Sequence, residues 1–238
     1  MCTLTWKHES DGYHLFFNRD ERKTRQLEQP PTIITSGDDV PLIAPKDGDH
    51  GGSWLAVNAF GVTYALLNHY DLESTRPEPE EPLSRGRLPL LMAAEKDQRD
   101  RPPNLQRFRP FHLVKVAPAG VVRHWIWNGV AWSSSDLCEA DRPLTTSSFD
   151  SGRAIELRKQ AFRALGPSPT VEDLASYHRS ASPRGAAYGV LMLRPDAQTM
   201  SITHIHVTAA EVPVHYEPQP RRGTEVEKPS VTRLARRL

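Results

Sequence analysis

The sequence predicts an α+β domain in which antiparallel hairpins carry most of the chain and a few helices are set apart from them. Three observations predict it. The chain opens on Cys2-Thr3-Leu4-Thr5-Trp6-Lys7, where apolar and polar side chains exchange at every residue, turns at Ser10-Asp11-Gly12 and returns through Tyr13-His14-Leu15-Phe16-Phe17, the pattern of a hairpin. Ser53–Asn58 with Val62–Leu67, and Ala187–Leu193 with Thr199–Val207, read as two more hairpins across Ala59-Phe60-Gly61 and Pro195-Asp196-Ala197-Gln198. Stretches of helical period are few: Ser84–Lys96, Ser151–Leu165 and Thr170–Ser180.

In chain order, pairing of the first hairpin carries Asn18-Arg19-Asp20-Glu21 back to Cys2. Its alternation predicts one buried and one wetted face. Residues 22–52 are polar, contain Pro30-Pro31 and Ser36-Gly37-Asp38-Asp39, and read largely as loop, a plain solvated connection first and, as the alternative, the rim of a site with Lys46 and Asp47 at its entrance. Asn68-His69-Tyr70 is a polar break at the end of the second hairpin, and Pro77–Pro82 an exposed loop. Arg85 and Arg87 open the next helix, where the dipole does not favour cations, so an anionic partner is expected for them. Asp97–Pro110 is a connection. Phe111–Val116, Val121–Trp127 and Val130–Trp132 form a three-strand meander whose tryptophans serve packing. The helix over Ser151–Leu165 buries Ile155, Phe162 and Leu165, and Thr170 caps the one after it, with Asp173 at the third position. His204 and His206 share a strand face, but no third ligand stands at recognisable spacing, so surface imidazoles and no metal are expected. Residues 1–210 read as one domain and 211–238 as a flexible tail rich in Pro, Arg and Glu.

Composition limits the function classes. Thirty basic against 29 acidic residues leave a net charge of +1, with no electrostatic case for nucleic acid as a partner. No run approaches the roughly 18 apolar residues of a membrane span, so no membrane insertion is expected. The two cysteines, Cys2 and Cys138, are expected to be reduced thiols in a cytoplasmic protein. No cofactor is expected; the partner is a small-molecule substrate or ligand, and the oligomeric state is not written in the sequence.

The chemistry centres on Cys2. Initiator methionine is normally trimmed before a small residue, which leaves thiol and α-amine on one residue. With reference pKa values of about 8.5 and about 7.7–8.0, a partly neutral amine can take the thiol proton near neutral pH. Arg19 would favour the thiolate or hold a substrate carboxylate, and Asp20 would orient the amine. The same residues also fit a buried cysteine followed by a solvated charge run.

Met1-Cys2-Thr3 with Asn18-Arg19-Asp20-Glu21, then Gly51-Gly52-Ser53-Trp54-Leu55-Ala56, Leu67-Asn68 and Ser84-Arg85-Gly86-Arg87-Leu88, resembles the NRDE family, which includes the transport and Golgi organisation protein 2 homologues. The resemblance spans residues 1 to about 90. It implies an αββα sandwich of two stacked antiparallel sheets between helical layers, similar to N-terminal nucleophile hydrolases of the penicillin V acylase and bile salt hydrolase kind. It further implies that Cys2, Arg19, Asp20 and Asn68 are catalytic, Asn68 through an amide donated to the oxyanion. Asn18, Glu21, Trp54, His69, Arg85 and Arg184 are then expected around the substrate. Relatives carry asparagine near Thr146-Ser147, where this chain has hydroxyls, a departure from the pattern. Two functions follow: hydrolysis of a non-peptide carbon–nitrogen bond through an acyl-enzyme, or a non-catalytic carrier of haem or an acyl lipid in the same pocket, since family members are linked to such trafficking.

Overall fold

The structure, a computed structural model, describes residues 1–35, 39–70, 79–95, 102, 104–221 and 228–237. In chain order, β1 (Cys2–His8) and β2 (Tyr13–Arg22) form the first hairpin, followed by β3 (Gln29–Thr35), β4 (Pro41–Lys46), β5 (Leu55–Asn58) and β6 (Thr63–Asn68). Helix α1 (Arg87–Ala93) precedes the meander β7 (Phe111–Val116), β8 (Val122–Trp127) and β9 (Trp132–Asp136). A short β10 (Leu144–Thr146), helices α2 (Ser151–Arg163) and α3 (Val171–His178), and strands β11 (Ala197–Val207), β12 (Glu211–Pro218) and β13 (Ser230–Ala235) complete the chain.

The strands make two antiparallel sheets, one in the order β10-β1-β2-β11-β12-β13 and one running β3 to β9 in sequence order. Leu4, Trp6, Leu15 and Phe17 of the first sheet pack with Ile43, Val57, Ala65 and Val114 of the second, all 1% exposed or less. Each such side chain contributes about 1.5–3 kcal/mol by leaving water. On the far side of the second sheet, Leu88 and Met92 of α1 join Leu66, Leu113 and Trp125. On the far side of the first, Phe162 of α2 and Leu174 and Tyr177 of α3 cover Phe16. The layers are two helices, a sheet, a sheet and one short helix, the αββα order expected. Among the described residues no helix is long and apolar enough to cross a membrane.

Several expectations are corrected. The polar alternate residues of β1 are not wetted: Thr3 and Thr5 are fully buried, bonded to Thr145 Oγ1 and His178 Nε2 at 2.8 Å. Residues 22–52 are not largely loop: they hold β3 and β4, because Thr32-Ile33-Ile34 pairs with Leu42-Ile43-Ala44. Ala187–Leu193 is a short helical turn and loop, and β11 pairs with β2 and β12 instead, Ile205 facing Val214 of β12 with both side chains in the core. Residues 211–218 and 230–235 are therefore strands of the first sheet, the second of them at its edge, and not a loose tail; alternation in Glu211-Val212-Pro213-Val214 buries Val212 and Val214. Positions 222–227 of that tail and 77–78 of the expected exposed loop lie outside the described residues.

Candidate active site

The first strand delivers Cys2 to the end of the inter-sheet layer. Its direct neighbours across the sheet are Arg19 on β2 and Thr146 on β10, and residues opposite one another in an antiparallel pair point to the same face. Cys2, Arg19 and Thr146 therefore share the inner face, while Thr3 and Asp20 point to the helices. A cleft of about 840 Å³ opens here, lined by Met1, Cys2, Arg19, Trp54, Asn68 and Arg85 among others, within the size range of small-molecule sites.

Arg19 is 5% exposed and lies between two carboxylates. It donates to Glu28 and, at 2.7 Å, to Asp47, and its guanidinium stands 4.3 Å over the Trp54 ring. Glu28 is held in turn by Tyr216 at 2.7 Å. Burial works against the Asp47 charge, but donation from the His50 N–H and from Arg25, with the Arg19 charge, keeps its carboxyl below the usual range. Arg19 is thus a fixed element of the cleft wall, its charge largely matched within the fold.

Asp20 plays two parts through two groups. Its carboxylate, on the helix side, accepts from Arg158 at 3.1 Å and from the Thr199 hydroxyl at 2.6 Å. Its main chain borders the N-terminus: the carbonyl accepts from the Met1 ammonium at 3.2 Å, and the N–H donates to the Met1 carbonyl at 3.0 Å. The ammonium also donates to the Tyr70 hydroxyl at 2.9 Å, which accepts the Asn68 amide at 3.0 Å. Burial opposes the ammonium charge, yet Tyr70, Cys2 and Asp20 outweigh it and raise the amine to about 10. Burial pushes the Cys2 thiol up to about 11, helped by Asp20 and opposed by the ammonium and Arg19. With Met1 in place Cys2 is a neutral thiol and the amine beside it is protonated.

Thr146 Oγ1 is buried without a hydrogen-bond partner, directly across from Cys2. Ser147 donates to Phe149 O at 2.8 Å and to the Met1 sulfur at 3.1 Å. Arg85 is part-buried and donates to Pro110 O at 2.8 Å; burial lowers its pKa and neighbouring Arg109 acts in the same direction, against the pull of Tyr70.

Of the residues expected at the substrate, Glu21, Trp54 and Arg85 line the cleft with Cys2, Arg19, Asp20 and Asn68. Three others do not. Asn18 alternates to the helix side and is fully buried, where it donates to His178 O and Val190 O and its Oδ1 meets His178 Nδ1 at 2.7 Å. His69 packs edge-on to His112 with centroids 4.6 Å apart. Arg184 is exposed in the loop before the 186–188 turn; the arginine that this part of the chain brings to the cleft is Arg194, 3.8 Å from the Met1 sulfur and paired with Asp196 at 2.6 Å. Glu28, Arg194 and Thr199 were not singled out from the sequence. Glu28 sits in a polar stretch without periodicity, and the other two needed the correct strand pairing of β11.

A family model described as Transport and Golgi organisation 2 matches residues 1–128. No curated protein matches the chain in sequence. Among solved structures, the chain is similar to penicillin V acylase from Agrobacterium tumefaciens, at 13% identity and a TM-score of 0.55, over 99% of this chain and 86% of that one. It is also similar to the C2A mutant of conjugated bile acid hydrolase from Clostridium perfringens, at 10% identity and a TM-score of 0.57, over 99% and 92% of the two chains. A second variant of that hydrolase gives 10% identity and a TM-score of 0.52, over 98% and 92%.

Proposed function

The chain belongs to the Transport and Golgi organisation 2 family, and on that footing we propose that it is an N-terminal cysteine hydrolase of a non-peptide carbon–nitrogen bond in a small molecule. The observation that carries this reading is the position of Cys2 in the lining of a cleft, with its own N-terminal side held against the main chain of Asp20 and the hydroxyl of Tyr70. A structural cysteine needs no such arrangement. The fold shared with acylases and bile acid hydrolases supports an amide as the bond attacked.

Removal of Met1 converts the Cys2 nitrogen into a primary amine beside the backbone of Asp20 and clears the methionine side chain from the cleft. The amine takes the thiol proton, and the thiolate attacks the substrate carbonyl. Asn68 Nδ2 and the unpartnered Thr146 hydroxyl donate to the oxyanion, replacing the amide found near this position in relatives. Collapse of the tetrahedral intermediate breaks the carbon–nitrogen bond. The leaving amine takes the proton from the Cys2 ammonium, and water then hydrolyses the thioester. Arg19, matched by Glu28 and Asp47, stiffens the wall. Arg85 is the candidate for holding an anionic group of the substrate, since it lines the cleft and donates to the neutral carbonyl of Pro110.

Retention of Met1 would favour a second reading, a carrier of haem or an acyl lipid. In that state the ammonium and the methionine side chain close over a neutral thiol. The test is a library of N-acyl amides offered to wild type and Cys2→Ala, with intact mass reporting Met1. Turnover by the trimmed wild type alone supports the hydrolase; a ligand held equally by both proteins supports the carrier.

A further inference from the structure

The outer face of the six-stranded sheet carries four histidines on three adjacent strands. His14 of β2 stands directly across from His206 of β11, and His204 across from His215 of β12. The His14 and His206 rings lie with centroids 3.9 Å apart. Glu9, in the turn after β1, brings Oε1 to 3.4 Å from His14 Nε2, and the other ring nitrogen of His14 is 2.9 Å from His204 Nε2. One ligand atom from each of Glu9, His14 and His206 lies within 4.8 Å of the other two, and among the described residues no other group of three such side chains meets this spacing.

We propose that Glu9, His14 and His206 form a binding site for one borderline divalent cation of the zinc class. Two imidazoles and a carboxylate are the donor set that such ions take, and that harder cations such as magnesium do not. Ligand atoms about 2.0–2.2 Å from a tetrahedral zinc stand roughly 3.3 Å apart, a spacing that Glu9 and His14 already reach at 3.4 Å, so the remaining separations must close by at most about 1.5 Å. Glu9 is exposed and free to swing, and imidazole rings turn easily about their last torsion, which lets the stacked pair splay until both lone pairs converge. The sequence pair His204 and His206 is not the chelating pair: neighbours two apart on one strand are separated by His14 reaching between them. His204 instead bonds the far nitrogen of His14, the outer-shell contact that fixes the tautomer of a metal-binding histidine. A proton shared by His14 and Glu9 is the competing occupant of the same gap. The cation would tie the tip of the first hairpin to β11, with a fourth position left to water. The site lies on the opposite face of β2 from Arg19 and does not depend on the hydrolase reading.

The test uses the full chain with Cys138→Ser, because Cys138 is an exposed thiol that would bind zinc on its own. After dialysis against chelator, zinc is titrated by calorimetry and cobalt by visible absorption. The proposal expects one equivalent bound, a cobalt d–d band in the visible, and a melting temperature raised by zinc. Glu9→Gln, at an exposed position, and His206→Ala should each weaken binding at least about tenfold and reduce the zinc-induced shift. Absence of saturable binding, or an affinity left unchanged by both substitutions, overturns it.

Discussion

The ammonium of Met1 donates to the hydroxyl of Tyr70 at 2.9 Å across 69 residues of sequence. That contact holds the N-terminus at the cleft while Met1 is present, and the same Tyr70 hydroxyl accepts from Asn68 at 3.0 Å. In protein that keeps Met1, Tyr70→Phe removes an acceptor that stabilises the charged amine. The amine should titrate clearly below its value of about 10, towards the ordinary terminal range. The pH dependence of N-terminal acetylation by a small reagent, followed by peptide mass, measures it.

Asp20 and Arg158 are both buried, at 0% and 1% side-chain exposure, and 3.1 Å apart. Removing one partner strands the other charge, so Arg158→Met should destabilise the fold by about 3–5 kcal/mol in denaturant unfolding. Arg158 also donates to Thr3 and Thr145, which ties α2 to β1 and β10. The account expects the melting transition to fall while Cys2 labelling persists in the protein that remains folded.

The two proposed oxyanion donors can be tested apart from the fold. Asn68→Ala and Thr146→Val should each lower kcat by about 10²–10³ with KM little changed. Thr146→Val is nearly isosteric and deletes a hydroxyl that makes no bond in the resting protein, so its stability cost should be small. A loss of stability equal to the loss of activity would assign Thr146 to packing.

Stability should fall in acid. Burial lowers His178 and His204 to about 3, with neighbouring charges acting in the same direction. Burial with His124 and His69 lowers His112 to about 3, and burial with His69 lowers His124 to about 4. Each folded value lies below the unfolded value of about 6.5, so the unfolded chain takes up protons first. Their contribution is complete above about pH 6.5 and is lost as pH falls towards 3–4. The slope reaches about 1.4 kcal/mol per pH unit for a fully buried group such as His178. Urea midpoints at pH 7 and pH 4.5 measure it, and His178→Gln should flatten the dependence.

The first hairpin and the first two strands of the meander were legible because alternation and a Gly-containing turn occur together in each, and the second hairpin because two apolar runs, buried on both faces, flank Gly61; the third meander strand, Trp132–Asp136, is exposed and begins where the expected Val130–Trp132 ends. Gly12 and Gly61 both fit against Val207, where a Cβ would come within 3 Å. β3 and β4 were missed because Pro30, Pro31 and Pro41 argue against strands; β3 is an edge strand, where proline loses no ladder bond. β12 was missed because its apolar alternates stand among Pro, His and Glu. At the site, Cys2, Arg19 and Asn68 were legible from local order and family blocks. Asn18 was misplaced by one alternation: its side chain, like the carboxylate of Asp20, belongs to the helix-side face of β2, while the main chain of Asp20 stays at the cleft, and only the paired register distinguishes the two faces. Arg194 and Tyr70 reach the site through contacts about 70 to 190 residues away in sequence, which no local pattern carries.

The central claim is that Cys2, once Met1 is removed, is the nucleophile. A substoichiometric acylating thiol probe applied at pH 7.5, followed by intact and peptide mass, tests it most directly. The account predicts protein that begins at Cys2, labelled there at least about tenfold faster than at the exposed Cys138. Protein that keeps Met1 and is labelled only at Cys138 would contradict it.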